Sequence, residues 1–557
     1  MPPTLTRHPA PWLGAVLLLS ACGPLGTQPA GPPTPPIPIT LGGAEARCAA
    51  LTHTTLPRVR ITQAELIAGG TQRAVDPATG LEVGQPLPEH CLLRGRIDER
   101  RGADGEPYHT GFELRLPSTF TGRFLYQGGG GNDGVLHNAV GRNTGALGWA
   151  DNALQRGFAA VSTDAGHQSP EPLFGLDPQA RIEHAWRAHA RTAETAKTLI
   201  ESYYGRPPAR SYFIGCSGGG RQGMMFTQRF PKVFDGVIAQ APAMRVSEGA
   251  TIAAAWTAQR FMAIAPRGAD GQPVLANALL PAQLDRVGKE VLDRCDAADG
   301  LVDGIVADTA LCRFNPARLL CPAAGEGCLS PAQAEALREV MAGPRTRSGG
   351  KLYFPWPWDP GIAAPGWRAW TLGTAQQGAP NARHVTLMGG ALGFEFATPP
   401  DATLTTLNFN FERDPFRLRA FHREYGTAED VVLRGFRDRG GKLLLIHGMA
   451  DPIFSAFETV DYHERLVAAN GEAATARFAR TFLIPGMNHC AGGPATDAFD
   501  GLATIVDWVE NGRVPERIVA RGSTALPGVE RPLCAYPKIA RYQGSGDVNK
   551  AGSFECR

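Results

Sequence analysis

A serine set among glycines directly follows an apolar stretch: Tyr212-Phe213-Ile214 runs into Gly215-Cys216-Ser217-Gly218-Gly219. Small neighbours let a backbone turn sharply from a strand into a helix and expose the serine hydroxyl at the turn. Five-residue matches arise by chance in glycine-rich chains, but here the flanks agree, with a strand pattern before the serine and a helix pattern after it. Far along the chain His489 and Cys490 stand side by side. A bridge between Cys216 and Cys490 would tie together the immediate neighbours of Ser217 and His489.

A serine hydroxyl is a poor nucleophile without a base. On this kind of sheet the acid and then the base follow the serine in chain order. Leu444-Leu445-Ile446-His447-Gly448-Met449-Ala450-Asp451 is an apolar strand ending in a loop with an aspartate. Leu483-Ile484-Pro485-Gly486-Met487-Asn488-His489 is another, ending in a histidine. The order Ser217, Asp451, His489 is therefore the expected catalytic set. His447 precedes the aspartate and reads as a loop-shaping residue. Asp461 and Asp497 are weaker acids, being further from a strand end. The developing oxyanion needs donors fixed in advance. The Gly218 amide, next after the serine, is one. Gly131, in the run Gly128-Gly129-Gly130-Gly131-Asn132-Asp133-Gly134, is the expected second.

Strand patterns at 108–116, 124–126, 159–163, 211–214, 237–239, 442–446 and 476–484 alternate with helix patterns at 184–203, 222–230 and 502–510. That alternation predicts an α/β class fold. The pattern fades over residues 244–430, a stretch too long for a loop, so it reads as an inserted domain. The core is then expected from 46–243 and 431–557. With 557 residues, 43% of them apolar, the chain is long enough for both. A net charge of +2 asks for no nucleic acid or acidic surface as partner.

Residues 1–22 read as an export leader: Arg7, then an apolar run from Leu13 to Leu19 too short to span a bilayer. Leu19-Ser20-Ala21-Cys22 resembles a bacterial lipobox, which would make Cys22 the lipidated mature N-terminus. Residues 23–45 read as a Pro/Gly-rich tether. The expected location is outside the cytoplasm, secreted, periplasmic or held by a lipid anchor to the outer membrane. Of eleven cysteines, ten remain once Cys22 is set aside. An even number in an exported chain suggests five disulfides, whose pairing spacing alone does not fix.

The loop Cys295-Asp296-Ala297-Ala298-Asp299-Gly300-Leu301-Val302-Asp303-Gly304-Ile305 carries three carboxylates with glycines that permit a tight wrap. Hard oxygen donors of this kind suit Ca²⁺, although the spacing is not that of an EF-hand.

Three long motifs, Ser211-Tyr212-Phe213-Ile214-Gly215-Cys216-Ser217, Pro485-Gly486-Met487-Asn488-His489-Cys490 and Tyr542-Gln543-Gly544-Ser545-Gly546-Asp547, resemble the tannase and feruloyl esterase family, over about 48–556. Within it the chain is most similar to the branch that hydrolyses terephthalate monoesters. The resemblance implies an α/β-hydrolase core with a large lid and serine esterase activity on aromatic acid esters. The branch implies mono(2-hydroxyethyl) terephthalate as substrate; plant phenolic esters, as for a feruloyl esterase or tannase, are the alternative. A catalytically silent binding module is disfavoured by the complete Ser217, Asp451 and His489 set. The resemblance implies the disulfides Cys48–Cys91, Cys216–Cys490, Cys295–Cys312, Cys321–Cys328 and Cys534–Cys556. It also implies a structural Ca²⁺ on the side chains of Asp296, Asp299 and Asp303 and the carbonyls of Leu301 and Ile305, with no organic cofactor and a monomeric chain. Trp370 and Phe454 match pocket aromatics, and Met388 is expected to line the same cleft. The branch holds its substrate carboxylate with a lid arginine. Here His384 stands at that position, with Arg383 one residue earlier.

Overall fold

The computed structural model describes residues 39–40, 43–77, 79–309, 311–321 and 327–557. The leader 1–22 with Cys22, and most of the tether 23–45, lie outside the described residues. Ala44 and Glu45, placed in the tether by sequence, instead begin a short helix, Ala44–Ala50.

The centre of the molecule is a nine-stranded sheet. In chain order its strands are β1 (Val59–Ile67), β2 (His90–Arg101), β3 (Pro107–Pro117), β4 (Arg123–Gln127), β5 (Ala159–Thr163), β6 (Arg210–Cys216), β7 (Gly236–Gln240), β8 (Lys442–Gly448) and β9 (Ala479–Ile484). Their spatial order is β9-β8-β7-β6-β4-β5-β3-β2-β1. The six from β9 to β5 run parallel, and β3, β2 and β1 add antiparallel pairs at one side. Parallel strands are buried on both faces by helices, which explains why β5 and β7 are buried at every residue.

Side-chain alternation along β6 sends Phe213 to one face and Tyr212 and Ile214 to the other. The first face packs under α1 (Ala188–Tyr204) and α2 (Gly218–Arg229) through Ala196, Leu199, Met224 and Phe226. A later helix, Gly501–Asn511, covers the second with Leu502, Ile505 and Trp508. Fully burying side chains of this size contributes roughly 1.5–3 kcal/mol each. Glu510 on that helix is buried but paired: it accepts two hydrogen bonds from Arg123, at 2.8 and 2.6 Å, and one from the Tyr212 hydroxyl at 2.7 Å. A buried carboxylate needs such partners to offset its lost hydration.

Between β7 and β8 no strand of the sheet occurs among the described residues. This stretch is helical, including α3 (Thr251–Ile264), α4 (Pro281–Cys295), α5 (Pro331–Ala342) and α6 (Pro415–Tyr425). It packs into its own core through Phe261, Leu284, Leu337, Trp367 and Phe396, joined by Ile453 and Phe454 from the sheet side. All five disulfides that the family resemblance implied are formed, with Cα separations of 5.2 to 6.0 Å. Among the described residues no helix is long and apolar enough to cross a membrane.

Several boundaries differ from the sequence reading. The helix expected from about Glu183 begins at Pro178, where Asp177 accepts the Ala180 amide as an N-cap, and it passes through a π-turn at Glu183–Arg187 before α1. Residues 476–478 close a short helix, Glu472–Phe478, and the strand starts only at Ala479. The alanine-rich Glu472-Ala473-Ala474-Thr475-Ala476 favours helix on propensity. α2 starts at Gly218 rather than Gln222, because the glycines serve close packing instead of breaking the helix.

Candidate active site

Ser217 sits at the carboxyl end of β6 and caps α2 with φ 65° and ψ −125°. A non-glycine residue in that region costs roughly 1–3 kcal/mol and persists only where its surroundings hold it. Here the Ser217 amide donates to Gln240 O at 3.0 Å, and the Ser217 carbonyl accepts from the Arg221 amide at 3.0 Å. A Cβ on Gly215 would fall 2.5 Å from the Gly219 carbonyl oxygen, so strand and helix meet closely only with glycine there. The Ser217 hydroxyl bonds to no described residue, leaving it free for substrate.

β4 lies between β6 and β5, so the strand order reverses beside Ser217. Ligands of open α/β sheets gather at such switch points, outside the carboxyl ends of the strands. The glycine run leaves β4 at this place. Its amides are nearly all committed: Gly128 to Ile214 O at 2.8 Å, Gly129 to Gln222 Oε1 at 3.1 Å, and Gly130 to Asp133 Oδ1 at 3.0 Å. Gly131 has φ 60° and its N–H has no acceptor among the described residues. A Cβ on Gly218 would stand 3.3 Å from the Gly131 carbonyl oxygen, so loop and elbow are in contact. Asp133, which the sequence reading left without a role, anchors the loop and also accepts from Gln222 Nε2 at 2.9 Å. Burial pushes its carboxyl up to about 7, against the pull of the Gln222 bond. Its place in the glycine run was the only signal available.

His489 and Asp451 come from the loops after β9 and β8. Asp451 Oδ2 accepts from His489 Nδ1 at 2.7 Å, which leaves Nε2 of the ring as a proton acceptor. Asp451 Oδ1 accepts the Ile453 and Phe454 amides at 2.9 and 3.1 Å. Burial alone raises the Asp451 carboxyl, but His489, together with His447, holds it well below the usual range. His447 lies beneath this loop, with Nδ1 2.7 Å from Thr459 Oγ1 and Nε2 3.0 Å from the Phe454 carbonyl oxygen. The Cys216–Cys490 disulfide joins the serine turn to the histidine loop. The other two acids lie elsewhere. Asp461 pairs with Arg465 at 2.8 Å, and Asp497 braces the histidine loop by accepting the Gly492 amide at 2.8 Å.

Trp370 and Phe454 each meet the His489 ring edge-on, both at 5.3 Å between centroids. His384 is 1% exposed, 6.1 Å from the Trp370 ring, and neither of its nitrogens has a hydrogen-bond partner. Burial lowers its pKa to about 3, so the ring is neutral at working pH. Arg383 is exposed, with its guanidinium over the Trp370 ring, 5.3 Å from the centroid. Met388 is buried in the same apolar cluster as Trp370 and Phe454.

The acidic loop turns inward. Asp296 accepts the Gly304 amide at 2.8 Å, Asp299 the Leu301 and Ala307 amides at 3.2 and 3.1 Å, and Asp303 the Ile305 amide at 3.0 Å. Asp303 also pairs with Arg531. Burial, with Asp303 and Asp296 adding repulsion, pushes Asp299 up to about 6. The three carboxylates thus crowd one another, and each also accepts from a backbone amide or from Arg531. Among the described residues, the acid and histidine side chains that do converge on one point are Glu248, His422 and Glu429.

A family model described as "Tannase and feruloyl esterase" matches residues 97–557. The mono(2-hydroxyethyl) terephthalate hydrolase of Piscinibacter sakaiensis is 41% identical over 561 residues, covering 92% of each chain. A probable feruloyl esterase B of Aspergillus clavatus is 27% identical, over 92% of this chain and 95% of its own. The crystal structure of feruloyl esterase B from Aspergillus oryzae superposes with a TM-score of 0.76 at 25% identity, over 92% of this chain and 100% of its own.

Proposed function

The chain belongs to the tannase and feruloyl esterase family, and on that footing we propose that it hydrolyses esters of small aromatic acids, mono(2-hydroxyethyl) terephthalate foremost, with Ser217, His489 and Asp451 as its triad. The observation that carries this reading is the strained Ser217 turn, bonded through Cys216–Cys490 to the loop whose His489 is oriented by Asp451.

His489 Nε2 takes the Ser217 proton as the hydroxyl oxygen attacks the ester carbonyl. The Gly218 and Gly131 amides receive the oxyanion. His489 returns the proton to the departing alcohol, which for the terephthalate monoester is ethylene glycol. Water, deprotonated by the same nitrogen, then attacks the acyl-enzyme and frees the acid and the serine. Asp451 keeps the imidazole in the tautomer this needs and stabilises its charged form. Trp370 and Phe454 flank the ring of the acyl group. Arg383, over the Trp370 ring, is the cation for a distal carboxylate.

We assign residues 46–243 and 431–557 to the catalytic domain and 244–430 to the lid. We also assign export, a lipid anchor at Cys22 and a monomeric state. The acidic loop has the hard oxygen set that a Ca²⁺ takes, and crowding that a cation would relieve, so Asp296, Asp299, Asp303 and the carbonyls of Leu301 and Ile305 are its ligands. A bound ion there would supply charge neutralisation and hold the loop, beside the Cys295–Cys312 bond. Removing it with a chelator is expected to lower Tm while changing the initial rate on a small ester little. Superimposable melting curves with and without chelator would refute the site.

Phenolic esters are the second reading, favoured by His384: a neutral buried imidazole suits a hydroxyl better than a carboxylate. kcat/KM on mono(2-hydroxyethyl) terephthalate, methyl ferulate and methyl gallate, side by side, separates the two. Preference for the first supports Arg383 as the carboxylate partner. Preference for ferulate or gallate moves the assignment to phenolic esters. His384→Arg is expected to raise kcat/KM for the terephthalate monoester relative to methyl ferulate by about tenfold, the lower end of a charge-assisted hydrogen bond. An unchanged ratio would place His384 outside the acyl pocket.

A further inference from the structure

Glu248, His422 and Glu429 meet where the helical segment leaves and rejoins the sheet domain. Glu248 lies in the π-turn Val246–Ala250, His422 on α6, and Glu429 in the chain that leads back towards β8. One ligand atom from each falls within 4.8 Å of the others. His422 Nε2 is 3.1 Å from Glu248 Oε1 and 3.5 Å from Glu429 Oε2.

An ion pair of His422 with the two carboxylates is the simplest account of such a group, but it leaves one feature over. His422 is 7% exposed, and its Nε2 has no hydrogen-bond partner. Around a tetrahedral ion with bonds of about 2.0–2.1 Å, neighbouring donor atoms stand about 3.3 Å apart and off each other's axes. The two observed separations bracket that value. The ring is also fixed as a ligand must be. Its Nδ1 is 3.0 Å from Ser247 Oγ, the outer partner that sets the tautomer of a metal-binding histidine. On the other side a Cβ at Gly426 would fall 2.2 Å from the ring's Cε1 and 2.5 Å from Nε2, so only glycine leaves the imidazole where it is. Arg245 engages one oxygen of Glu429 at 3.2 Å, while Oε2, which also accepts the Ala428 amide at 3.2 Å, lies 3.5 Å from the histidine.

We propose that Glu248, His422 and Glu429 bind a divalent transition ion of the zinc class, with water completing the sphere. One imidazole and two carboxylates fit that class; Ca²⁺ and Mg²⁺ prefer all-oxygen cages. The site is distinct from the Asp296–Asp303 loop and from Ser217. It fastens the entry of the helical segment to its exit, so it clamps the base of the lid and takes no part in ester cleavage.

The test uses the whole protein, treated with chelator and returned to excess Ca²⁺. Zn²⁺ binding is followed by calorimetry, and Co²⁺ binding by its visible absorption. Wild type is expected to bind one Zn²⁺ per chain, and Co²⁺ with the strong bands of a four- or five-coordinate site, despite the Ca²⁺. His422→Gln should abolish both signals. Glu248→Gln, at a half-buried position that threatens folding less, should weaken Zn²⁺ binding by about 100-fold, since even outer partners of metal ligands are worth about 10–100-fold. Saturating Zn²⁺ should raise Tm in wild type and in neither variant. Absence of stoichiometric Zn²⁺ binding in wild type, or equal binding in Glu248→Gln, would overturn the proposal and leave an ion pair.

Discussion

Ser217→Ala is expected to reduce kcat by about 10⁶-fold, the scale seen when a triad serine is lost, while Tm stays within about a degree of wild type. The second half of that expectation rests on the structure. The Ser217 hydroxyl bonds to no described residue, and the backbone bonds that hold the turn run through the amide and carbonyl, which alanine keeps. Alanine pays the same conformational cost at φ 65° as serine does. A single-turnover assay with a chromogenic aromatic ester should show no acyl-enzyme burst. Turnover near wild type would place the nucleophile elsewhere.

Asp451→Asn is expected to lower kcat by about 10⁴-fold with little change in KM, because the imidazole then settles in the wrong tautomer. It should also cost stability, since Asp451 is buried between His489 and His447. Its carboxyl is held below the usual range in the folded protein, so its contribution is fully present above its unfolded value of about 3.9 and is lost only as pH falls through the lower folded value. The Tm deficit of the variant should therefore be constant through neutral pH and shrink in strong acid. Since Asp451 stays ionised throughout the working range, any acid limb in the wild-type rate profile arises from another group. A deficit that grew on acidification would contradict the assignment.

The loops of the candidate active site were legible because the patterns that mark them are local. An elbow needs small residues around one serine, and strand-end loops announce themselves where an apolar run stops at Asp451 or His489. Side-chain direction in the helical segment was not local. Arg383 and His384 are adjacent in sequence, and only the packing of Trp370 and Ala382 decides that the histidine is buried and the arginine exposed. β1 and β2 were hidden for a related reason. β2 carries Arg94, Arg96 and Arg100, which interrupt the apolar signal. It is a strand because β1 and β3 pair with it and because Glu113 accepts from Arg94 at 2.8 Å. The helix start at Pro178 was readable from Asp177-Pro178, a cap followed by the residue that best opens a helix. The convergence of Glu248, His422 and Glu429 spans 181 positions and leaves no pattern in the sequence at all.

The Cys216–Cys490 bond has a sequence separation of 274, and that span contains the whole helical segment. The segment is therefore a closed loop of chain, not an appendage. On the chain-entropy account, closing a loop of this length restricts the unfolded ensemble by about 5.6 kcal/mol. A protease that cuts within this segment would leave serine and histidine still joined, and the nicked protein would run as one band until reduced. It follows too that this site is assembled by oxidation. A copy folded under reducing conditions would lack the covalent tie between the Ser217 turn and the His489 loop. If that tie is needed to align the two loops, activity would be acquired only where thiols are oxidised.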